Sequence, residues 1–201
     1  AQDMLPLFSL AKANSFAEAE GQLQVRNFAY LSLEQFCPAL NSMIHLRNLM
    51  GLRSPVHTLV RLVNPLNAPY SIQGIFHPGY RPVHQEAALL LKQAHMTVIK
   101  GEGGESERNP DMQCLAQSVH AGELSEEIWP ALFPRRHVKP KILEPEQLIQ
   151  LWRGEINDEF AEASIIGTTA VALKLMAKAE SREAAQLLAT NYWQKRDKNS
   201  Y

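Results

Sequence analysis

The sequence contains little cysteine, with only Cys37 and Cys114 among its 201 residues. The two are far apart, form no Cys-x-x-Cys pair and have no histidine at a zinc-binding spacing, so the pattern does not indicate a zinc site or a disulfide framework. Free cysteine is one of the most frequently buried residue types. We therefore expect two reduced, buried thiols, as in a cytoplasmic protein.

Long hydrophobic runs and a large excess of one charge are also missing. No stretch approaches the roughly 18 apolar residues of a membrane helix, and the first ten residues lack the basic segment and apolar core of a secretion signal. These absences predict a protein that is neither exported nor held in a membrane. The formal net charge is -1, so any surface that binds nucleic acid must be local.

Common catalytic patterns are absent as well. The sequence has no Gly-x-Ser-x-Gly nucleophile motif and no His-x-x-x-His pair among its seven histidines, so no catalytic residue and no histidine-bound metal is assigned. The three tryptophans, Trp129, Trp152 and Trp193, are irregularly spaced, and we expect them to fill core rather than stack on bases.

Apolar periodicity predicts alternating helices and strands in one α/β domain. The predicted helices span residues 16–23, 34–52, 56–63, 82–95, 145–153, 158–178 and 181–196, the last two with Asp158 and Ser181 as N-caps. The predicted strands span residues 28–33, 71–76 and 96–100, with short strands at 115–120 and 125–129 inside a proline-rich stretch. The strand–helix–strand order over residues 71–100 indicates a parallel pair of strands.

A glycine-rich acidic segment, GEGGESE at residues 101–107, directly follows the predicted strand 96–100. In open α/β sheets ligands bind outside the carboxyl ends of the strands. This segment, called the acidic loop below, is therefore the first candidate site.

Three segments carry a resemblance to a known family. They are ALNSMIHLRNLMGLRSPVHTLVRLVNPL at residues 39–66, SIQGIFHP at 71–78 and VIKGEGGESE at 98–107. Their order and spacing resemble the anthranilate phosphoribosyltransferase family of glycosyltransferases, and most of all its TrpD-like paralogues that bind nucleic acid.

The resemblance implies the C-terminal part of an α/β domain of the phosphoribosyltransferase and nucleoside-phosphorylase type, with a parallel-rich sheet flanked by helices. The family's N-terminal helical domain and its first phosphate-binding strands have no counterpart in residues 1–201. The chain also opens with Ala-Gln-Asp rather than Met. We therefore expect the rear portion of a longer protein, inactive alone and needing no cofactor in this form.

The resemblance also implies site residues. Arg47 stands where the family holds the carboxylate of its aromatic acceptor, a task suited to a guanidinium group, and Arg53 matches the following arginine of the same substrate-binding pattern. The alternative for each is a helix-end arginine that is solvated or paired with a carboxylate. Glu107 matches the final metal-binding glutamate, and Ser106 occupies the metal-binding position before it. Ser106 and Gly103 both stand where the family has aspartates. Mg²⁺ prefers carboxylate and phosphate oxygens, so these two exchanges remove charge that the metal would use.

The function implied is transfer of a phosphoribosyl group from phosphoribosyl pyrophosphate, with Mg²⁺, to a small aromatic acceptor by a homodimeric enzyme. Cys37 and Asn64 replace the family's His and Gly, which argues against anthranilate as that acceptor. The alternative is a non-enzymatic paralogue that binds single-stranded DNA or RNA. Its candidate residues are Arg135, Arg136, Lys139 and Lys141. If these residues do not bind nucleic acid, their segment is an ordinary solvated surface loop.

Overall fold

The computed structural model describes residues 2–52, 54–138 and 144–199. They form two compact units, one of residues 2–52, 54–67 and 144–149 and the other of residues 68–138 and 150–199. Throughout these described ranges, no helix is both long and apolar enough to cross a membrane.

The first unit is built from short elements. Strands β1 (Lys12–Ala13) and β2 (Tyr30–Leu31) form a parallel pair, so the strand predicted at residues 28–33 is present but only two residues long. Helix α1 (Phe16–Arg26) begins after Ser15, whose hydroxyl accepts the Glu18 N–H at 3.1 Å. This bond satisfies one of the free N–H groups of the first turn.

The prediction of a single helix over residues 34–52 is wrong. Three short helices occupy the region instead, namely α2 (Leu33–Phe36), α3 (Pro38–His45) and α4 (Arg47–Met50). Pro38 causes the first break, because proline lacks an N–H and disfavours helical backbone at the preceding residue; Cys37 has φ -151° and ψ 75°. Gly51, with φ 68°, ends α4 as predicted. Helix α5 (Val56–Leu59) covers the first half of the helix predicted at residues 56–63.

The second unit contains a four-stranded sheet in the order β3–β4–β5–β6. Its strands are β3 (Tyr70–Ile75), β4 (His95–Lys100), β5 (Cys114–His120) and β6 (Glu123–Trp129). The predicted parallel pair β3–β4 is confirmed, with α6 (Arg81–Leu90) between its strands. The α/β class is also confirmed, but this sheet is mixed rather than parallel-rich because β4–β5 and β5–β6 are antiparallel.

The strands β5 and β6 form a hairpin at the two short strands predicted in the proline-rich stretch. Ala121 and Gly122 connect them, with φ of 51° and 86°. Positive φ at both turn residues is the mark of a type I′ turn, which matches the twist of the flanking strands.

Three helices complete the described chain: α7 (Glu146–Arg153), α8 (Glu159–Leu175) and α9 (Arg182–Lys195). The predicted N-caps are confirmed, since Asp158 accepts the Ala161 N–H at 3.0 Å and Ser181 accepts the Ala184 N–H at 3.1 Å. Helix α6 ends earlier than predicted, before Lys92, whose φ is 55°.

The apolar side chains of β4 are buried in cores on both faces of the sheet. Met96 and Val98 belong to a small core with Ala88 of α6. Ile99 belongs to the larger core, which α8 and α9 complete. The buried residues of this larger core are Ile99, Cys114, Ala116, Trp129, Leu151, Ile166, Ala170, Val171, Leu173, Ala185, Ala189 and Trp193. Trp129 and Trp193 thus fill core, as predicted.

Candidate functional site

The acidic loop leaves the carboxyl end of β4 and turns back along the edge of the parallel pair. Its first residue, Gly101, donates its N–H to the Ile75 carbonyl of β3 at 3.1 Å, and a 3₁₀ turn spans Glu102–Gly104. The loop therefore lies at the edge of the sheet where α/β proteins bind ligands.

Glycine determines the path of this loop. A Cβ atom added to Gly101, or to Gly74 of β3, would overlap the backbone of Glu105. Gly103 has φ 63°, in the left-handed region that glycine adopts most readily. The loop backbone can therefore lie directly against the strand ends.

The side chains of the loop remain accessible. Glu102, Glu105 and Glu107 are exposed, so three carboxylates of the loop can contact a ligand. Ser106 donates its hydroxyl hydrogen to the Ile72 carbonyl at 3.2 Å. Within the described part of the chain, no group of three or more His, Cys, Asp or Glu side chains is arranged to hold a metal ion. An Mg²⁺ ion here would thus need oxygens from its substrate, as Mg²⁺ commonly does.

Arg108 fastens the far end of the acidic loop to the helices. Its side chain is 1% exposed, and its guanidinium donates to the Gln186 Oε1 at 3.2 Å and the Pro130 carbonyl at 2.6 Å. Its N–H donates to the Thr168 Oγ1 at 2.9 Å, and its carbonyl accepts the Ser164 hydroxyl at 3.2 Å. These bonds fix the backbone immediately after Glu107. Burial lowers the pKa of the Arg108 guanidinium, which nevertheless stays charged.

A cleft of about 450 Å³ opens beside the acidic loop at the same edge of the sheet. Its lining combines two cations, one carboxylate, two amides and several apolar groups. The lining residues are Phe76, Pro78, Arg81, Lys100, Gly101, Glu102, Asn109, Met112, Gln113, Cys114 and Leu115.

Both cysteines are free, and Cys114 lies in the wall of this cleft. Burial raises the pKa of the Cys114 thiol, an effect that the nearby Arg108 and Arg81 oppose. The thiol is therefore protonated near neutral pH and is a poor nucleophile. Its burial agrees with expectation, whereas Cys37 is only partly buried.

The predicted site residues lie in different parts of the structure. Glu107 and Ser106 belong to the second unit, where they are exposed neighbours in the acidic loop. Arg47 belongs to the first unit, where it is exposed as the first residue of α4. Arg53 lies outside the described residues.

The predicted basic segment is described only in part. Arg135 and Arg136 are exposed, whereas Lys139 and Lys141 lie outside the described residues. A continuous basic surface is therefore not defined by the residues that the structure describes.

Sequence reasoning missed an ionic cluster centred on His137. The imidazole Nδ1 lies 2.6 Å from the Asp111 Oδ1, and its Nε2 lies 2.9 Å from the Glu159 Oε1. The rings of Phe133 and Phe160 contact it edge-on, at centroid distances of 4.6 and 5.5 Å. The hydrogen bonds with Asp111 and Glu159 raise the pKa of His137. Desolvation tends to raise the pKa of Asp111, but the bonds from His137 lower it overall.

This cluster ties the segment after β6 to the start of α8. Its members are separated by 26 and 22 residues, and no local motif links positions so far apart. Only the fold brings them together.

In sequence, the chain is similar to anthranilate phosphoribosyltransferases. It is 30% identical over 107 residues to the enzyme of Paraburkholderia phymatum, covering 53% of this chain and 31% of the relative. It is 28% identical over 158 residues to that of Verminephrobacter eiseniae, covering 76% of this chain and 46% of the relative. The chain thus spans less than half the length of these curated relatives. No family model matches it.

Solved structures of the same enzyme share the fold. The anthranilate phosphoribosyltransferase of Thermus thermophilus matches with a TM-score of 0.74 at 21% identity, over 94% of this chain and 58% of that one. A Saccharomyces cerevisiae variant with Mg bound matches with 0.72 at 15% identity, over 96% and 57%. The yeast enzyme in complex with 4-fluoroanthranilate matches with 0.69 at 15% identity, over 89% and 54%.

Proposed function

We propose that this chain forms the acidic-loop side of a phosphoribosyltransferase-type site, at which a phosphoribosyl group passes from phosphoribosyl pyrophosphate to an acceptor. The observation that carries the proposal is the position of Glu107. This exposed carboxylate ends a glycine-shaped loop at the carboxyl edge of a parallel strand pair, within a fold shared with anthranilate phosphoribosyltransferases. The sequence similarity to those enzymes supports the same reading.

The chemistry of such a transfer asks mainly for positioning and charge neutralisation. When bound, Mg²⁺ would neutralise the pyrophosphate that leaves. Glu107 would hold the ion together with phosphate oxygens, a ligand set of one carboxylate plus substrate that suits Mg²⁺. The bonds of Arg108 to Thr168 and Ser164 keep the Glu107 backbone in place.

Acceptor binding is a separate proposal, which rests on Arg47 in the first unit. A planar guanidinium can donate two parallel hydrogen bonds to a carboxylate, and Arg47 is exposed. One relative is known in complex with 4-fluoroanthranilate, an aromatic acid. We propose an acidic aromatic acceptor other than anthranilate itself, because Cys37 and Asn64 replace the family's His and Gly.

The proposal also predicts weak binding of phosphoribosyl pyrophosphate without turnover by the 201-residue chain. Ser106 and Gly103 supply no charge where the resemblance implies aspartates, and residues 1–201 contain no counterpart of the family's separate glycine-rich pyrophosphate loop. Backbone N–H groups of such a loop normally anchor phosphate oxygens. Glu107 then provides the main contact through the metal.

A thermal-shift titration tests the proposal. Phosphoribosyl pyrophosphate should raise the Tm of the chain only when Mg²⁺ is present, because a ligand that binds the folded state stabilises it. Glu107→Gln should abolish this rise. Glu105→Gln, a change of the same kind at an exposed carboxylate of the same loop, should preserve most of it.

Two outcomes would refute the proposal. One is a rise in Tm that is independent of Mg²⁺ or equal in the two variants. The other is stabilisation by single-stranded DNA but not by phosphoribosyl pyrophosphate, with an affinity that falls steeply as salt is added. That second outcome would favour the nucleic-acid-binding alternative.

A further inference from the structure

A row of polar and aromatic side chains crosses the sheet at the end opposite the acidic loop. Tyr70, His95, His120 and Glu123 are consecutive cross-strand partners on β3, β4, β5 and β6. At about 3.3 Å per residue, the five steps along β4 place His95 about 17 Å from Lys100, where the acidic loop begins. This row is therefore independent of the proposed transferase site.

The two histidines in the row face each other through the same ring atom. The Nδ1 atoms of His95 and His120 are 3.0 Å apart, with ring centroids at 4.2 Å. Tyr70 stacks on His95 at 4.7 Å with an interplanar angle of 16°, which restrains that ring. The backbone nearby is also fixed, because the Ala121 N–H donates to the Ala94 carbonyl at 2.8 Å.

Two facing imidazole nitrogens allow two arrangements. One ring can donate an Nδ1–H to the other, or both can present lone pairs to a shared cation, since neutral imidazole is a common metal ligand. Metal–nitrogen bonds are about 2.0–2.1 Å long, so two nitrogens at about 90° around one ion lie about 2.8–3.0 Å apart. A tetrahedral angle would separate them by about 3.3–3.4 Å. The observed spacing fits neighbouring positions of a square-planar or octahedral ion.

We propose that His95 and His120 form a two-histidine site for a divalent transition-metal ion of the Ni²⁺ or Cu²⁺ type. These ions favour tetragonal or octahedral geometry with nitrogen ligands, unlike the tetrahedral preference of Zn²⁺. Among the described residues no third His, Cys, Asp or Glu completes the set, so water fills the remaining positions. The exposed Glu123 is the cross-strand partner of His120 and adds a negative charge at the same end of the sheet, which favours a cation.

The site is partly organised before the metal arrives. The ladder between β4 and β5 sets the spacing of the two residues, and the stack on Tyr70 holds one ring. A pair already held at the bound spacing loses less conformational freedom on binding than two mobile side chains would. The pair should therefore bind Ni²⁺ more tightly than any single exposed histidine of the chain.

Isothermal titration calorimetry with Ni²⁺ tests this on the wild-type chain and on His95→Gln, His120→Gln and His45→Gln. His45 is an exposed histidine at the end of α3, in the other unit, and serves as the matched control. We expect one site in the wild type. Either substitution in the pair should weaken binding by about tenfold or more, since loss of even an outer-shell partner costs about that much. His45→Gln should leave the affinity unchanged.

A second readout separates ligation from loss of fold. Far-UV circular dichroism should show each variant folded, and imidazole NMR of the wild type should show Ni²⁺ broadening His95 and His120 signals before those of other histidines. Equal affinities in the wild type and in His95→Gln would overturn the proposal and leave the pair as a hydrogen bond only. Broadening that begins at another histidine would overturn it as well.

Discussion

Substituting Gly101 by alanine should move the acidic loop without altering any of its charges. The new Cβ would overlap the Glu105 carbonyl oxygen and lie 3.1 Å from the Glu107 carbonyl oxygen. Both neighbours are backbone, so neither can swing aside as a flexible side chain would, and the loop must shift. Because Glu107 is part of the loop, its carboxylate moves with it.

Two opposing effects determine how much stability the Gly101→Ala chain should lose. Overpacking a tight site costs about 1–3 kcal/mol. The cost at Gly101 should lie near the upper end of this range, because the neighbouring atoms belong to rigid backbone. Alanine also restricts the unfolded chain, which returns about 0.4–1 kcal/mol. The net loss should be about 2 kcal/mol, or about 4–8 °C in Tm for a chain of this size.

Thermal denaturation followed by circular dichroism measures this loss, and the Mg²⁺-dependent shift with phosphoribosyl pyrophosphate should disappear in the same variant. Gly21→Ala is the matched control, because Gly21 lies within α1 and a Cβ there has no atom within 4 Å. That change should stabilise the chain by about 0.5–1 kcal/mol. A Gly101→Ala chain with unchanged Tm and unchanged ligand response would refute the reasoning.

Two further predictions concern the buried Arg108 and the ionic cluster centred on His137. Arg108→Ala should destabilise the chain by about 3–5 kcal/mol in urea unfolding, because it leaves a cavity and removes the bond to Gln186; Arg135→Ala, at an exposed position, should change stability by less than about 0.5 kcal/mol. Similar effects of the two would contradict the burial of Arg108. The pKa of His137 in the folded chain is raised above its unshifted value of 6.5. The protonated imidazole therefore stabilises the fold fully below pH 6.5, and this stabilisation is lost as pH rises through the raised pKa. The pKa of Asp111 is lowered from its unshifted value of 3.8. Its ionised carboxylate therefore stabilises the fold above pH 3.8, and this stabilisation is lost as pH falls through the lowered pKa. The Tm difference between wild type and His137→Gln should thus be largest at about pH 4–6.5 and shrink toward pH 9; a constant difference would rule out the ionic cluster.

Features governed by local chemistry were predictable from the sequence. Asp158 and Ser181 cap α8 and α9 as expected, because a capping oxygen bonds an N–H only two or three residues along the chain. The strand–helix–strand order over residues 71–100 predicted the parallel pair β3–β4 correctly. The acidic loop then followed from its position after β4.

Features governed by tertiary contacts were not predictable in the same way. Apolar periodicity over residues 34–52 suggested one helix, but Pro38 interrupts it. The spacing of apolar residues carries no information about the backbone N–H that proline lacks. Arg108 sits in a polar stretch and would ordinarily be exposed, yet α8 and α9 bury it. The Asp111–His137–Glu159 cluster depends on three separate segments meeting.

The central claim, that the acidic loop meets Mg²⁺-bound phosphoribosyl pyrophosphate, is tested most directly by restoring one carboxylate. Gly103 stands where the resemblance implies an aspartate, a Cβ there has no atom within 4 Å, and its φ of 63° is one that Asp and Asn tolerate. The test is a calorimetric titration of phosphoribosyl pyrophosphate into Gly103→Asp and into the neutral Gly103→Asn. With Mg²⁺, the aspartate variant should bind about fivefold to tenfold more tightly than the asparagine variant, which corresponds to about 1 kcal/mol for one added charge. Without Mg²⁺ it should bind more weakly, because two negative groups then repel. Equal affinities in Mg²⁺, or weaker binding by the aspartate variant in both conditions, would contradict the account.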